Sequence, residues 1–192
     1  MKIIPKSNIE LPKFPLPIYH SIHIADAINK EGDEFSIFIG LEKKYVEQLK
    51  QLSLDEGDIE LQNNTGDRAR FGQGEGQRSY EEWYGKNRTP FALIHKRTDT
   101  LSALVWFGPR PLLSNEDNWH TLGWRSYKPF RGKGIMKVFT QFSIDFYKTK
   151  FPDIKLWISA EKDNVSSIRL AENLGFTIYT EASDSHSIVM VI

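Results

Sequence analysis

Lys128-Pro129-Phe130-Arg131-Gly132-Lys133-Gly134-Ile135-Met136 is the stretch on which the fold turns, because of what lies on either side of it. Upstream, Trp119 to Tyr127 reads as a strand. Downstream, Ile135, Val138, Phe139, Phe142 and Phe146 recur at three- and four-residue steps, the spacing of one helical stripe that ends before Pro152. Strand, basic glycine loop and helix together make an anion site. Gly132 and Gly134 let the chain turn sharply and bring its N–H groups close to a ligand, and the open amides and positive dipole end of the helix favour a phosphate. Arg131 and Lys133 place charge beside it. The spacing is neither a Walker loop nor a dinucleotide fingerprint: no second Gly-Lys-Ser/Thr follows, and the third glycine and downstream acid are missing.

Working outward, Lys155 to Ala160 reads as a buried strand. A helix then carries Val165, Ile168, Ala171 and Leu174, capped by Asp163 or Asn164 and stopped by Gly175. Phe176–Thr180 and Ser187–Ile192 close the chain as strands. Before the loop, Phe91–His95 and Leu101–Phe107 flank a polar turn in the manner of a hairpin. Earlier still, Phe35–Ile39 is a strand, Leu41–Leu54 a helix, and Ser79–Tyr84 a short helix opened by a capping serine. Prolines at 5, 12, 15 and 17 favour an extended lead-in along an edge, followed by a short strand at Ile18–Ile24. The order is roughly β-α-α-β-β-β-α-β-α-β-β, a mixed α/β layer on a largely antiparallel sheet. The glycine-rich run Gly72–Gly76 lacks a preceding apolar strand and carries Glu75, so it reads as a lid segment and not as a second phosphate loop.

The bulk numbers set bounds. With 192 residues, 40% of them hydrophobic, one domain over 1–192 is expected. Lys plus Arg and Asp plus Glu each number 25, so no global field points to nucleic acid or an anionic membrane. The absence of cysteine excludes disulfides, thiolate metal sites and a cysteine nucleophile. The N-terminus has no apolar core of signal-peptide length and the apolar runs are strand-sized, so a cytoplasmic location is expected.

The loop resembles the pyrophosphate loop of the GNAT superfamily of N-acetyltransferases, whose pattern Arg/Gln-x-x-Gly-x-Gly/Ala is met by Arg131 and Gly134, with Met136 in the last place. Gly123-Trp124 and Lys128-Pro129-Phe130 look like the subgroup that acetylates ribosomal-protein N-termini and similar amines. Asn164-Val165-Ser166-Ser167, running on to Leu174-Gly175-Phe176, resembles the family's second signature. The similarity is close from about Phe91 to Phe176.

That resemblance implies a sheet splayed at the cofactor strand and flanked by helices, acetyl-CoA as co-substrate, no metal, and an amine as acceptor. The cofactor-binding residues it implies are Arg125, Ser126, Tyr127, Arg131, Gly132, Lys133, Gly134, Ile135, Met136 and Asn164, the last as a helix cap, as a pantetheine ligand, or as both. In many relatives a tyrosine protonates the departing thiolate. Its place is Ala171 here, so Ser167 or water takes that role. For the proton acceptor the candidates are His120 and Glu116 or Asp117, with Glu81 and Glu82 as alternatives. Trp83 and Tyr84 are candidates to wall an acceptor pocket. No nucleic acid and no membrane are expected as partners, and a homodimer is left open. The acceptor is chosen by residues 55–90 and the last hairpin. The rival to an enzyme is an acyl-CoA-binding sensor that kept the loop and lost turnover.

Overall fold

The computed structural model describes residues 1–10, 13–55, 80–112 and 118–192. Their elements, in chain order, are β1 (Lys2–Pro5), β2 (Ser21–Ile28), β3 (Glu34–Gly40), α1 (Lys43–Ser53), α2 (Tyr80–Tyr84), β4 (Thr89–His95), β5 (Thr100–Pro109), β6 (Trp119–Ser126), α3 (Ile135–Lys148), β7 (Lys155–Glu161), α4 (Val165–Asn173), β8 (Thr177–Ile178) and β9 (Ser187–Val191). The strands form one sheet in the order β1-β2-β3-β4-β5-β6-β7-β9-β8. Every pairing is antiparallel except β6 with β7, which the α3 crossover joins in parallel.

Side chains alternate across each strand, so the sheet has two apolar faces and both are covered. On one face Phe35, Ile37, Phe91, Leu93, Val105 and Phe107 pack under Ile135, Phe139 and Tyr147 of α3 and Ala171 of α4. On the other, Ala92, Ile94 and Leu104 pack under Tyr45 and Leu49 of α1 and Tyr80 and Trp83 of α2. This double burial is why Phe91–His95 reads as an unbroken apolar run instead of an alternating one; all of β4 is buried.

Two elements depart from the sequence reading. The strand expected at Ile18–Ile24 begins only at Ser21, because His20 N–H bonds back to Pro17 C=O and Tyr19 sits at φ +63°, which holds residues 17–20 in a turn. The strand expected at Phe176–Thr180 pairs only at Thr177 and Ile178, since Thr180–Ala182 closes into a 3-10 turn. The lead-in does run along the edge, where β1 pairs with β2.

The feature that positions the site is where the parallel pairing stops. β6 and β7 match only at Trp119 with Lys155, His120 with Leu156, and Thr121 with Trp157. Beyond that point β6 continues against β5 as far as Ser126, and β7 against β9 as far as Glu161. The sheet therefore opens in a wedge between β6 and β7.

Candidate active site

Two hollows are lined by successive stretches of β6 at this opening. The α3-side cleft has a volume of about 930 Å³ and takes in Trp124, Arg125 and Ser126 of β6, the loop from Phe130, the first turn of α3 and the start of α4. The α2-side pocket, of about 300 Å³, takes in Thr121, Leu122 and Gly123 of the same strand. The junction falls at Gly123 and Trp124.

The α3-side cleft offers main-chain groups beside the side chains of Arg131, Lys137 and Arg169. Gly134 caps α3 at φ +66° with no side-chain cap, and Gly132 sits at φ +79°. A Cβ added at either glycine would meet nothing within 4 Å, so the loop borders open space. The first turn of α3 carries no acidic side chain. Its N–H groups have no partner within the helix and point, with the positive end of the dipole, into the cleft. Arg131 anchors the loop by donating from Nη2 to Ser126 C=O at 3.1 Å. This cradle fits a diphosphate. Lys133 does not line the cleft with its side chain: its Nζ lies 3.6 Å from Asp33 Oδ2 and over the Phe130 ring. A hydrogen bond from Asn29, and then the charge of Lys133, hold the Asp33 carboxyl below the usual carboxylate range.

The strand wall is refined by its hydrogen-bond alternation. Trp119 C=O and Tyr127 N–H bond on the β5 side, while Asn118 C=O accepts from Lys155 of β7. Even-numbered residues of β6 therefore direct their main-chain groups toward the wedge. Leu122, Trp124 and Ser126 present N–H and C=O there, and Ser126 C=O is already taken by Arg131. Arg125 and Tyr127 face β5 with their backbones. Arg125 is buried with its guanidinium 5.6 Å from the Tyr127 ring centroid, and Tyr127 packs in the α1–α2 layer. The strand expected at Trp119–Tyr127 is present as β6; Leu122 and Trp124, which the sequence reading did not count among the cofactor residues, are found by counting the alternation back from the strand's end.

Asn164 caps α4, its Oδ1 accepting from Ser167 N–H and Ser166 Oγ–H, each at 3.1 Å, while it also lines the cleft. Ser167 faces β6 across the wedge, and its Oγ accepts a long 3.4 Å contact from Trp124 Nε1–H. Ala171, in the place of the family's tyrosine, is completely buried.

His120 is not at the junction. Its ring packs against Phe151, Nδ1 lies 2.8 Å from Tyr147 Oη, and it lines neither hollow. Burial, helped by the charge of Arg88, lowers its pKa from the ordinary 6.5, and burial raises that of Tyr147. The structure thus places His120 outside the linings of both hollows, paired with Tyr147. Glu116, Asp117 and the Gly72–Gly76 segment lie outside the described residues.

The α2-side pocket gathers side chains from four separate segments. Trp83, Trp106 and Trp157 supply its walls, Glu82 is the one carboxylate among the described lining residues, and Lys86, Arg88 and Arg110 are its cations. Close packing shapes it: a Cβ on Gly123 would fall 2.4 Å from the Trp106 indole, so the glycine is what lets that ring lie flat against β6. Of the other candidates, Glu81 accepts from Tyr19 Oη–H and Tyr84 donates to Leu16 C=O, both away from the pocket lining.

A sheet split beside an uncapped helix start leaves room for a diphosphate-linked donor, with a second pocket along the same strand. The model of the GNAT acetyltransferase domain matches residues 55–177, more than half of the chain, and the chain belongs to that family. Its structure is similar to the GNAT domain of S. lividans PAT (TM-score 0.63, 11% identity, covering 87% of this chain and 94% of that one). It is also similar to a Vibrio fischeri ribosomal-protein-S5-alanine acetyltransferase (0.52, 13%, 81% and 92%) and to a Vibrio cholerae spermidine N-acetyltransferase chimera (0.56, 16%, 81% and 94%). At these identities the likeness is one of fold. No curated protein sequence matches the chain. Among the described residues no group of His, Cys, Asp or Glu could hold a metal ion, and no helix is long and apolar enough to cross a membrane.

Proposed function

We propose that the chain transfers an acetyl group from acetyl-CoA to a primary amine of a small molecule or a peptide or protein N-terminus, by direct attack. The observation that carries this is that two hollows of different chemistry are lined by adjacent residues of β6, Gly123 and Trp124, one with room for a diphosphate and one lined by side chains. When bound, acetyl-CoA supplies an activated thioester whose sulfur leaves as a thiolate.

The N–H groups of Gly134, Ile135 and Met136, with Gly132 and Arg131, hold the diphosphate, and the backbone of Leu122 and Trp124 pairs with the pantetheine arm in the wedge. Asn164 sits beside that arm. Trp124 N–H is directed at the carbonyl oxygen, where charge develops as the amine nitrogen bonds to carbon. The nitrogen's proton passes to Glu82 through water. As the C–S bond breaks, Ser167 Oγ–H delivers a proton to the sulfur and recovers one from solvent. The domain is soluble and cytoplasmic in this reading, and 1–192 works as one unit.

The test is amine-dependent release of the CoA thiol from acetyl-CoA by the purified chain. Turnover above the amine-free rate supports the reading. Acetyl-CoA binding with no transfer to any amine contradicts it and favours a sensor.

A further inference from the structure

The loop that is to hold the diphosphate takes no rigidity from crowding at its glycines, since a Cβ at Gly132 or Gly134 would meet nothing within 4 Å. Its own main-chain bonds are one from Phe130 N–H to Tyr127 C=O at 3.0 Å and a long one from Lys133 N–H to Phe130 C=O at 3.4 Å. Arg131 ties it to β6. Lys133 ties it to a segment far away in sequence, the turn between β2 and β3.

That turn is built around one carboxylate. Asn29, buried just past the end of β2, accepts at Oδ1 from Glu31 N–H at 3.0 Å and from Asp33 N–H at 2.8 Å. Its Nδ2–H donates to Asp33 Oδ2 at 2.9 Å. The main-chain bond from Asn29 N–H to Asp33 C=O, at 3.0 Å, closes the turn, and Gly32 at φ +85° permits it. Asp33 is thereby held with Oδ2 3.6 Å from Lys133 Nζ, an ionic contact too long for a hydrogen bond. The same ammonium lies 5.5 Å from the Phe130 ring centroid. Phe130 packs in turn on Phe35 and His95, with centroids at 5.2 and 4.7 Å, and it also lines the cleft. His95 Nε2 stands 3.9 Å from Asp33 Oδ1, so the turn, β4 and the loop close into one cluster. By charge alone, a carboxylate paired to this loop opposes an anionic ligand. What it contributes is position.

We propose that Asp33 is a positioning residue for acetyl-CoA binding: set by Asn29, it holds Lys133 and with it Phe130, and so keeps the N–H groups of residues 132–136 aimed into the cleft before the ligand arrives. This rests on the acetyl-transfer reading and adds to it a residue from the β2–β3 turn. A loop ordered in advance spares the ligand the entropy of ordering it.

The experiment compares wild type, Asp33→Asn, Lys133→Met and the double variant by calorimetric titration with acetyl-CoA and by NMR relaxation of the free chain. Methionine keeps an apolar stem over the Phe130 ring and removes the charge. In each variant the backbone order parameters of residues 131–136 are expected to fall below the rigid range of about 0.85, while those of β4 and β5 stay as in wild type. The Kd for acetyl-CoA is expected to rise about three- to fivefold in each single variant, and the double variant to lose no more than either. Charge acting alone gives another pattern, in which Asp33→Asn binds more tightly than wild type and Lys133→Met more weakly. That pattern, losses that add in the double variant, or loop order unchanged by Asp33→Asn would each overturn the inference. Order lost in β4 and β5 as well would overturn it by making Asp33 a residue of the fold and not of the site. A wild-type chain that binds no acetyl-CoA sinks the acetyl-transfer reading and this inference with it, whereas wild-type binding indifferent to Asp33→Asn overturns the inference alone.

Discussion

The two hollows along β6 are built from opposite materials. The α3-side cleft presents backbone N–H groups from one loop, one helix start and one strand, and its shape depends on two glycines that leave space beside the chain. The α2-side pocket presents charged and aromatic side chains from α2 and the turn after it, from β5 and its end, and from β7, and its shape depends on a glycine of β6 that leaves no space, because an indole fills it. The cleft should therefore tolerate side-chain exchange and fail when the backbone or its charge is disturbed. The pocket should behave the other way, changing preference with each side chain replaced.

The largest expected effect is at the cleft. Gly134→Asp adds a carboxylate where a diphosphate is to bind, in open space where nothing of the core is displaced. Affinity for acetyl-CoA, read by calorimetry, should fall more than about a hundredfold, while Gly134→Ala should cost only about tenfold through backbone strain at positive φ. Equal losses for the two would mean that conformation, not charge, governs the site. Next comes Gly123→Ala in the pocket. The new methyl must push the Trp106 ring aside, an overpacking worth about 1–3 kcal/mol, so kcat/KM for the acceptor should drop about tenfold or more while the acetyl-CoA Kd changes less than about twofold. If both constants move together, the hollows are one site.

Those two glycines show what was legible in the sequence. Gly132 and Gly134 announce themselves locally, since a basic glycine loop between a strand and an amphipathic stripe has one physical use. Asn164 likewise marks its helix start. Gly123 gives no such sign, because its role appears only when β5 lays Trp106 across it. The same holds for Arg88 and Arg110, which no motif singles out and which only the sheet brings to one pocket. His120 stands on the strand before the loop, and strand alternation turns its side chain to Tyr147 and the core. Lys133 adjoins the right glycines, but Asp33 draws its ammonium away.

A smaller effect sharpens the junction between the hollows. Ser167→Ala should lower kcat by up to about tenfold with little change in acetyl-CoA affinity, and the loss should shrink for thioesters whose thiol is more acidic. An unchanged kcat would assign the proton to water. The smallest effect lies outside both hollows. His120 is buried with its pKa held below the ordinary 6.5, so the unfolded chain binds the proton more readily than the folded one. The resulting penalty is absent above that pH, sets in as pH falls through about 6.5 and is complete below the folded value. Thermal melting of His120→Gln should therefore lose less stability than wild type between about pH 7 and pH 5, and its turnover at pH 7.5 should be nearly that of wild type. A large loss of kcat there would place His120 among the reacting groups.

The central claim is that the uncapped start of α3 and the opened edge of β6 together bind acetyl-CoA. Calorimetric titration of the wild-type chain with acetyl-CoA tests it most directly, repeated with Arg131→Ala. The account predicts one micromolar site per chain, weakened about tenfold by the substitution. Absence of binding to the wild type, or binding indifferent to Arg131, would contradict it.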